Sequence, residues 1–359
     1  MAAITVTPDK ALVDEAVTIT VTGLDRHQAM TLCARVTETT TTFASCASYV
    51  ADDTGTVDVA KNSSIQGTYT VMFNISNIHR STLKTFLMMI TCLKDYQLRV
   101  GLRCLGRNST TEDPLTEMGV EGWDCDRNVF VPREVKISVF SGHITLNQIF
   151  GNPHPVAIAE TSCYRWFKSK SVTKLPVNVG RLGGSLFLPP GDQAVPGIVD
   201  LSGLMSTRVE TMESKGALLA SRGFATFVVS SGDFMPHCIT DLSYLQVWKG
   251  DAKILMIVSE DDQAIDPDSS RRLLNSVPAC KRTNFEIAKY SWAGHIVEHP
   301  YTPYYASIWH PIWRVMGCSG GKAKPHADAQ QDSWLRIQEF FHKHLHPGTE
   351  DCVVLSSRL

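Results

Sequence analysis

The sequence predicts a β-sandwich N-terminal domain followed by an α/β C-terminal domain. Three observations point there. Residues 3–70 repeat short runs with apolar side chains at every second position, separated by turn residues. From residue 175 the pattern changes to hairpin, strand, helix, strand, the alternation that builds a parallel sheet. Between 254 and 300, one apolar run ends in carboxylates and the next strand ends in Gly-His.

In chain order, Ile4 and Val6, then Val17, Ile19 and Val21, each line one strand face with threonines opposite. Pro8-Asp9, Gly23-Leu24-Asp25 and Asp52-Asp53-Thr54-Gly55 mark the turns. Short strands at this spacing suggest an antiparallel β-sandwich, with further strands at 97–104 and 135–139. Residues 71–133 fit poorly: 84–93 reads as helix or strand, and 108–126 as polar loop. No catalytic cluster stands out in this half, which favours a packing or scaffolding role.

In the second half, 175–188 reads as two strands joined at 181–184, and 197–201 as an apolar strand ending at Ser202-Gly203. The end of such a strand is a usual place for an oxyanion-hole amide. A helix over 214–223 stops at glycine, and 224–229 is the next strand. At 254–258 an unbroken apolar run predicts a strand buried on both faces. A crossover helix follows over 268–274, then a strand over 285–290. Residues 332–344 form an amphipathic closing helix, with Trp334, Ile337, Phe340 and Phe341 on one face. His342 and His344 near its end read as surface or helix-dipole residues rather than ligands. The domains are thus 1–174 (71–133 atypical), 175–346, and a tail over 347–359.

Asp262 after the first of these late strands and His295 after the second fall at one sheet edge, where open α/β sheets place ligands. Acid before histidine, with histidine late, is the order used by α/β-hydrolases. A carboxylate there orients an imidazole that relays a proton to and from a nucleophile. The 33-residue separation leaves room for one helix and one strand. Asp261 is the fallback acid. An Asp-Asp pair after a strand also serves as a plain turn or N-cap, and Gly-His pairs are common.

Composition narrows the classes. With 43% apolar and 19% charged residues and a formal net charge of −2, the chain is that of a globular protein without an electrostatic footprint for nucleic acid. Its ten cysteines show no CxxC pairing, as expected in a reducing compartment. The start lacks a basic, then apolar, secretory pattern, and the longest apolar stretch, near 86–93, is too short to span a bilayer. Three glycosylation sequons then read as chance matches. No metal, phosphate-loop or dinucleotide motif is present, so no cofactor is expected. The final Ser357, Arg358 and Leu359 vary conservatively on the Ser-Lys-Leu peroxisomal address, and Pro347-Gly348-Thr349-Glu350-Asp351 supplies a polar tether. A peroxisomal location through an import receptor is the expectation, with cytoplasm the alternative.

Five stretches are specific when taken together: 176–203, 216–229, ILMIVSEDDQ at 254–263, AGHIVEHPYTP at 293–303, and 324–345. They resemble the hydrolase domain of the acyl-CoA thioesterase and bile acid-CoA:amino acid N-acyltransferase family. Residues 4–24 resemble that family's leading immunoglobulin-like sandwich, and 134–175 match more loosely. The resemblance implies an α/β-hydrolase-like C-terminal domain acting on an acyl-CoA substrate. A Ser or Cys nucleophile on a Gly-x-Ser/Cys-x-Gly elbow attacks the thioester, and water or an amino acid takes the acyl group. Asp262 matches the acid and His295 the base.

The elbow is not there. Only 24 residues separate the strand at 224–229 from that at 254–258, fewer than the roughly 30 a βαβ unit takes. Ser230, Ser231 and Cys238 lie in this gap outside the elbow pattern; Ser230 and Ser231 follow a strand expected beside the elbow strand. The predicted result is an impaired thioester hydrolase with a truncated parallel sheet and exposed apolar surface, or association that hides it. N-acyltransfer, or non-catalytic binding of acyl-CoA or a protein partner, is the alternative.

Overall fold

The computed structural model describes residues 1–38, 41–67, 132–179, 182–201, 209–230, 247–250, 252–266, 268–300, 307–310 and 315–345. The strand expected at 97–104, the segments 84–93 and 108–126, and the tail over 347–359 lie outside these. The chain divides into two compact units, Met1–Phe167 and Lys168–Leu359. Among the described residues, no helix is long and apolar enough to cross a membrane.

The first unit is built from two sheets. Strands β1 (Ala3–Thr7), β3 (Thr18–Thr22) and β6 (Val57–Asp58) form one, in the order β1-β3-β6. The other contains β2 (Lys10–Leu12), β4 (Ala29–Glu38), β5 (Thr41–Val50), β7 (Gln66–Gly67), β8 (Arg133–Ser141) and β9 (Ala159–Trp166). Its order is β2-β9-β8-β4-β5-β7, and a short helix α1 (Leu146–Ile149) follows β8. The two sheets share one apolar core. Val17, Ile19 and Val21 meet Met30, Leu32, Ala47, Tyr49, Ile137 and Val139 there, all nearly or fully buried. Period-two alternation along β1 and β3 sends Ile4, Val6, Ile19 and Val21 to this side. One pairing departs from the antiparallel expectation: β2 runs parallel to β9, registering Lys10 with Tyr164 and Leu12 with Trp166.

In the second unit, β10 (Thr173–Val179), β11 (Leu182–Leu188), β12 (Gly197–Leu201) and β13 (Ala225–Ser230) form a four-stranded sheet in the order β10-β11-β13-β12. The β12–β13 pair is parallel and the others antiparallel. Helix α2 (Val209–Ser221) lies on one face. Gly216 brings it down onto Phe187, Thr226 and Val228, and the next residue after its end but one, Gly223, has φ +98. The strand expected beside an elbow strand, β13, is instead interior, paired on both sides by β11 and β12. Among the described residues, β10 and β12 are the sheet's two edge strands.

The face away from α2 carries two apolar rows. Leu175, Leu186, Phe227 and Val199 register across the sheet, as do Val177, Gly184, Val229 and Leu201. On the covered face Phe187, Thr226 and Val228 are fully buried, whereas Val199 and Leu201 on the open face are 63% and 70% exposed. Apolar surface of this kind is expected of a sheet short of a strand and of the helix that would cover it.

The remaining strands do not extend that sheet. β14 (Ile254–Ser259) and β15 (Phe285–Tyr290) form a separate parallel pair, with α3 (Asp268–Ser276) between them in sequence. β16 (Ser307–His310) and β17 (Val315–Cys318) form an antiparallel pair. The single narrowed sheet expected from sequence is therefore two sheets, because no described strand bridges β12 and β14. The last helix, α4 (Ala323–Leu345), begins nine residues before the expected start. Its buried stripe is His326, Ala329, Gln330, Ser333 and Trp334, continuing into Phe341, whose ring meets Phe224 at 5.9 Å. Of the two late histidines, His342 packs on Phe224 and His344 lies by Glu286, neither near the site described below.

Candidate active site

Parallel registry of β14 with β15, from Ile254 opposite Phe285 to Ser259 opposite Tyr290, ends both strands at one edge. Beyond that edge the chain stays zipped: Glu260 N–H donates to Tyr290 O at 3.1 Å and Asp261 N–H to Ala293 O at 3.1 Å. Asp262 then turns. Its Oδ1 accepts the amides of Ala264 and Ile265, each at 2.9 Å, which fixes the carboxylate and leaves Oδ2 to meet His295 Nδ1 at 2.9 Å. Burial works against the charge on Asp262, but the His295 hydrogen bond and the two amides outweigh it and hold the carboxyl below its ordinary range.

A carboxylate only accepts, so Nδ1 of His295 carries a proton, and in the neutral ring Nε2 is the nitrogen with the lone pair of a base. The pair is partly screened, with side chains 29% (His295) and 15% (Asp262) exposed. Among the described residues, nothing hydrogen-bonds to Nε2, and no serine or cysteine side chain is bonded to His295.

A third chain segment completes the site. His295 N–H donates to Ser319 O at 2.7 Å, Gly321 N–H to Asp261 Oδ2 at 2.9 Å, and Lys322 N–H to Trp292 O at 2.8 Å. Gly294, Gly320 and Gly321 let these backbones touch. A Cβ on Gly294 would stand 2.7 Å from Ser319 O, and one on Gly320 would overlap Asp261 O. Gly320 and Gly321 also have φ of +70 and +85, which favours glycine. Trp292, at φ 60, is covered by the Lys322 ammonium 3.4 Å from its ring centroid. Behind the loop, His326 of α4 accepts from Gly294 N–H and donates to Ile296 O. His299 packs edge-on against Trp334, with Ser214 Oγ at 3.4 Å. Lys215 lies between Asp200 at 3.4 Å and Glu298 at 3.9 Å. Burial alone would lower the Lys215 pKa; Glu298 and Asp200 reverse this and raise it.

Of the residues singled out from sequence, Asp262 and His295 are brought together. Asp261 is not on the imidazole; it caps Gly321. Ser230 closes β13 opposite Gly183. Ser231, Cys238, Ser202, Gly203, Ser357, Arg358 and Leu359 lie outside the described residues. Sequence reasoning missed Ser319, Gly320, Gly321 and His326. The Ser-Gly-Gly run at 319–321 was a visible signal for a tight backbone crossing.

Residues 228–347 match the family profile described as BAAT / Acyl-CoA thioester hydrolase C terminal, and 14–75 match Acyl-CoA thioester hydrolase/BAAT N-terminal region. The chain belongs to this family. The C-terminal match, of α/β-hydrolase type, contains Asp262, His295 and His326. Family relatives include acyl-coenzyme A amino acid N-acyltransferase 1 of Mus musculus, 25% identical over 445 aligned residues that take in 94% of this chain and 97% of that protein. Bile acid-CoA:amino acid N-acyltransferase of Homo sapiens is 24% identical over 457, taking in 97% and 99%. Acyl-coenzyme A thioesterase 1 of Mus musculus is 34% identical over 122 residues, 33% of this chain and 27% of that protein. An alignment of 445 positions exceeds the 359 residues of this chain, so the relative carries residues for which the chain has no counterpart.

Proposed function

We propose that this chain acts on fatty acyl-CoA thioesters as a weakened hydrolase, keeping the acid–base pair of the family and lacking its Ser or Cys nucleophile. The carrying observation is the Asp262–His295 contact at 2.9 Å, with Nε2 free among the described residues. With no elbow serine or cysteine, Nε2 takes a proton from water as the water oxygen attacks the thioester carbonyl. Collapse of the tetrahedral species breaks the C–S bond, and the imidazolium returns the proton to the CoA sulfur. Fatty acid and CoA leave, and Asp262 stabilises the imidazolium throughout. General-base catalysis alone is worth about 10²- to 10⁴-fold over water, far below a full triad. In the same proposal the first unit is an immunoglobulin-like sandwich and the second an α/β-hydrolase domain with a truncated sheet.

A second reading is favoured by the two end-to-end N-acyltransferase relatives: an amino acid amine in place of water as acceptor. Both are tested by following loss of thioester absorbance for a series of saturated acyl-CoAs, with and without glycine or taurine. Absorbance avoids the exposed thiols of Cys280 and Cys318. Turnover lost in His295→Ala supports the proposal, and amide product only with amino acid present selects the second reading. No turnover above His295→Ala, from folded protein that binds acyl-CoA, makes the chain a non-catalytic binder and overturns both. Peroxisomal delivery through Ser357, Arg358 and Leu359 is also proposed; a fluorescent fusion that stays diffuse in cells with intact import would contradict it.

A further inference from the structure

His326 lies in the first turn of α4 and is 3% exposed. Both its ring nitrogens are engaged by backbone, and the roles follow from the partners. Gly294 N–H can only donate, so Nδ1 accepts it at 3.0 Å; Ile296 O can only accept, so Nε2–H donates to it at 2.7 Å. The imidazole is therefore neutral and held in one tautomer, and burial favours the same state by lowering its pKa. The two contacts fall on the residues before and after His295.

We propose that His326 is a positioning residue for the proton-relay pair: it grips the chain on both sides of His295 and so sets where the imidazole presents Nε2. This rests on the reading of Asp262 and His295 as the acid–base pair. Beyond a local turn in which its carbonyl accepts from Val297 N–H at 3.3 Å, His295 is tied to other segments at two points, Nδ1 on Asp262 Oδ2 and its N–H on Ser319 O. Contacts at Gly294 N and Ile296 O hold the chain immediately before and immediately after His295, and so restrain rotation of the segment that carries the imidazole. Glycine at 294 makes the restraint necessary, because that residue brings no side chain to anchor the turn. A leucine would fill much of the volume and leave a buried donor and a buried acceptor unmet. A glutamine offers a carbonyl oxygen and an amide N–H to the same two partners.

The test combines a spectroscopic signature with rescue. In histidine-labelled protein, NMR follows the His295 Nδ1 proton, assigned by its loss in Asp262→Asn. Wild type is expected to show that proton slowly exchanging, with one His295 tautomer. His326→Leu is expected to lose it and show mixed tautomers, and His326→Gln to regain it. Thioester cleavage should follow the same order, with kcat in His326→Leu down roughly 10- to 100-fold and KM little changed. Where His326→Leu does not fold, His326→Asn, which reaches one partner and not both, is expected to show the same loss. A folded variant with an unchanged His295 signal overturns the proposal, as does a wild type without that signal. Failure of the acyl-CoA reading looks different: no thioester is cleaved, while the His295 signal still depends on residue 326.

Discussion

Replacing Gly294 by alanine tests whether the site is held by backbone packed on backbone. Gly294 does not have a positive φ, so alanine brings no backbone strain there. It brings only a methyl, placed 2.7 Å from Ser319 O and from the carbonyl carbon of Gly320, and nearer still to Gly320 O. None of these atoms is the end of a flexible side chain, so the 292–296 and 319–321 segments must separate. Overpacking of this kind costs about 1–3 kcal/mol. Separation also weakens the His295 N–H to Ser319 O bond and the Gly294 N–H to His326 bond, each worth about 0.5–1.5 kcal/mol. Full loss of both bonds would bring the total to about 2–6 kcal/mol, a fall of roughly 4–24 °C in Tm for a unit of this size. Gly191→Ala in the same unit is the control: φ is +97, nothing lies within 4 Å of the added methyl, and strain alone costs about 1–2 kcal/mol. Calorimetry resolves the transitions where the two units melt separately. If Gly294→Ala melts no lower than Gly191→Ala, the close backbone packing assigned to the site is wrong.

Two further predictions follow from ionisation and burial. Asp262 has a depressed pKa, so its contribution to stability is complete above the ordinary carboxylate value of about 3.9 and is lost as pH falls through the lower folded value. Asp262→Ala should therefore be less stable than wild type at pH 7, with the gap in urea midpoint narrowing below about pH 4; a gap that stays constant down the acid limb contradicts the assignment. Alkylation of native protein with peptide mapping should modify the exposed Cys280 and Cys318 and spare the buried Cys33, Cys46 and Cys163 until denaturant is added. Burial pushes the Cys33 thiol up to about 12 and raises Cys163 as well; native labelling at Cys33 would mean that the β4–β5 face is open.

What could be read from sequence was what periodicity and strand ends encode. β14 and β15 are short apolar runs with clear stops, so Asp262 and His295 could be placed at one edge before any contact was known. Periodicity alone did not separate Asp262 from Asp261, and the family resemblance made that choice; the turn supplies its physical reason, since Oδ1 capture by Ala264 and Ile265 aims Asp262 at the imidazole while Asp261 meets Gly321. The first half of α4 was hidden because its buried stripe uses His326, Gln330 and Ser333, which hydrophobic periodicity scores as solvent-facing. Pro325 falls in the helix's first turn, where proline is tolerated. The parallel β2–β9 pair and the interior place of β13 are non-local pairings, and no local pattern specifies which strand becomes a neighbour.

The same geometry explains how the acid–base pair is held independently of the four-stranded sheet, whose Val199 and Leu201 are exposed. Each hydrogen bond that fixes Asp262 and His295 among the described residues comes from 260–265, 292–297 or 319–326. All three segments follow the 24-residue gap in sequence, and none belongs to the four-stranded sheet. The apolar rows ending at Val199 and Leu201 belong to that sheet alone. Among the described residues, the relay's hydrogen bonds therefore draw on neither the four-stranded sheet nor the stretch between β13 and β14. Selection for thioester cleavage would tend to keep nucleophile, acid and base together. Here base and acid form a unit of three late segments, held by hydrogen bonds among 260–265, 292–297 and 319–326.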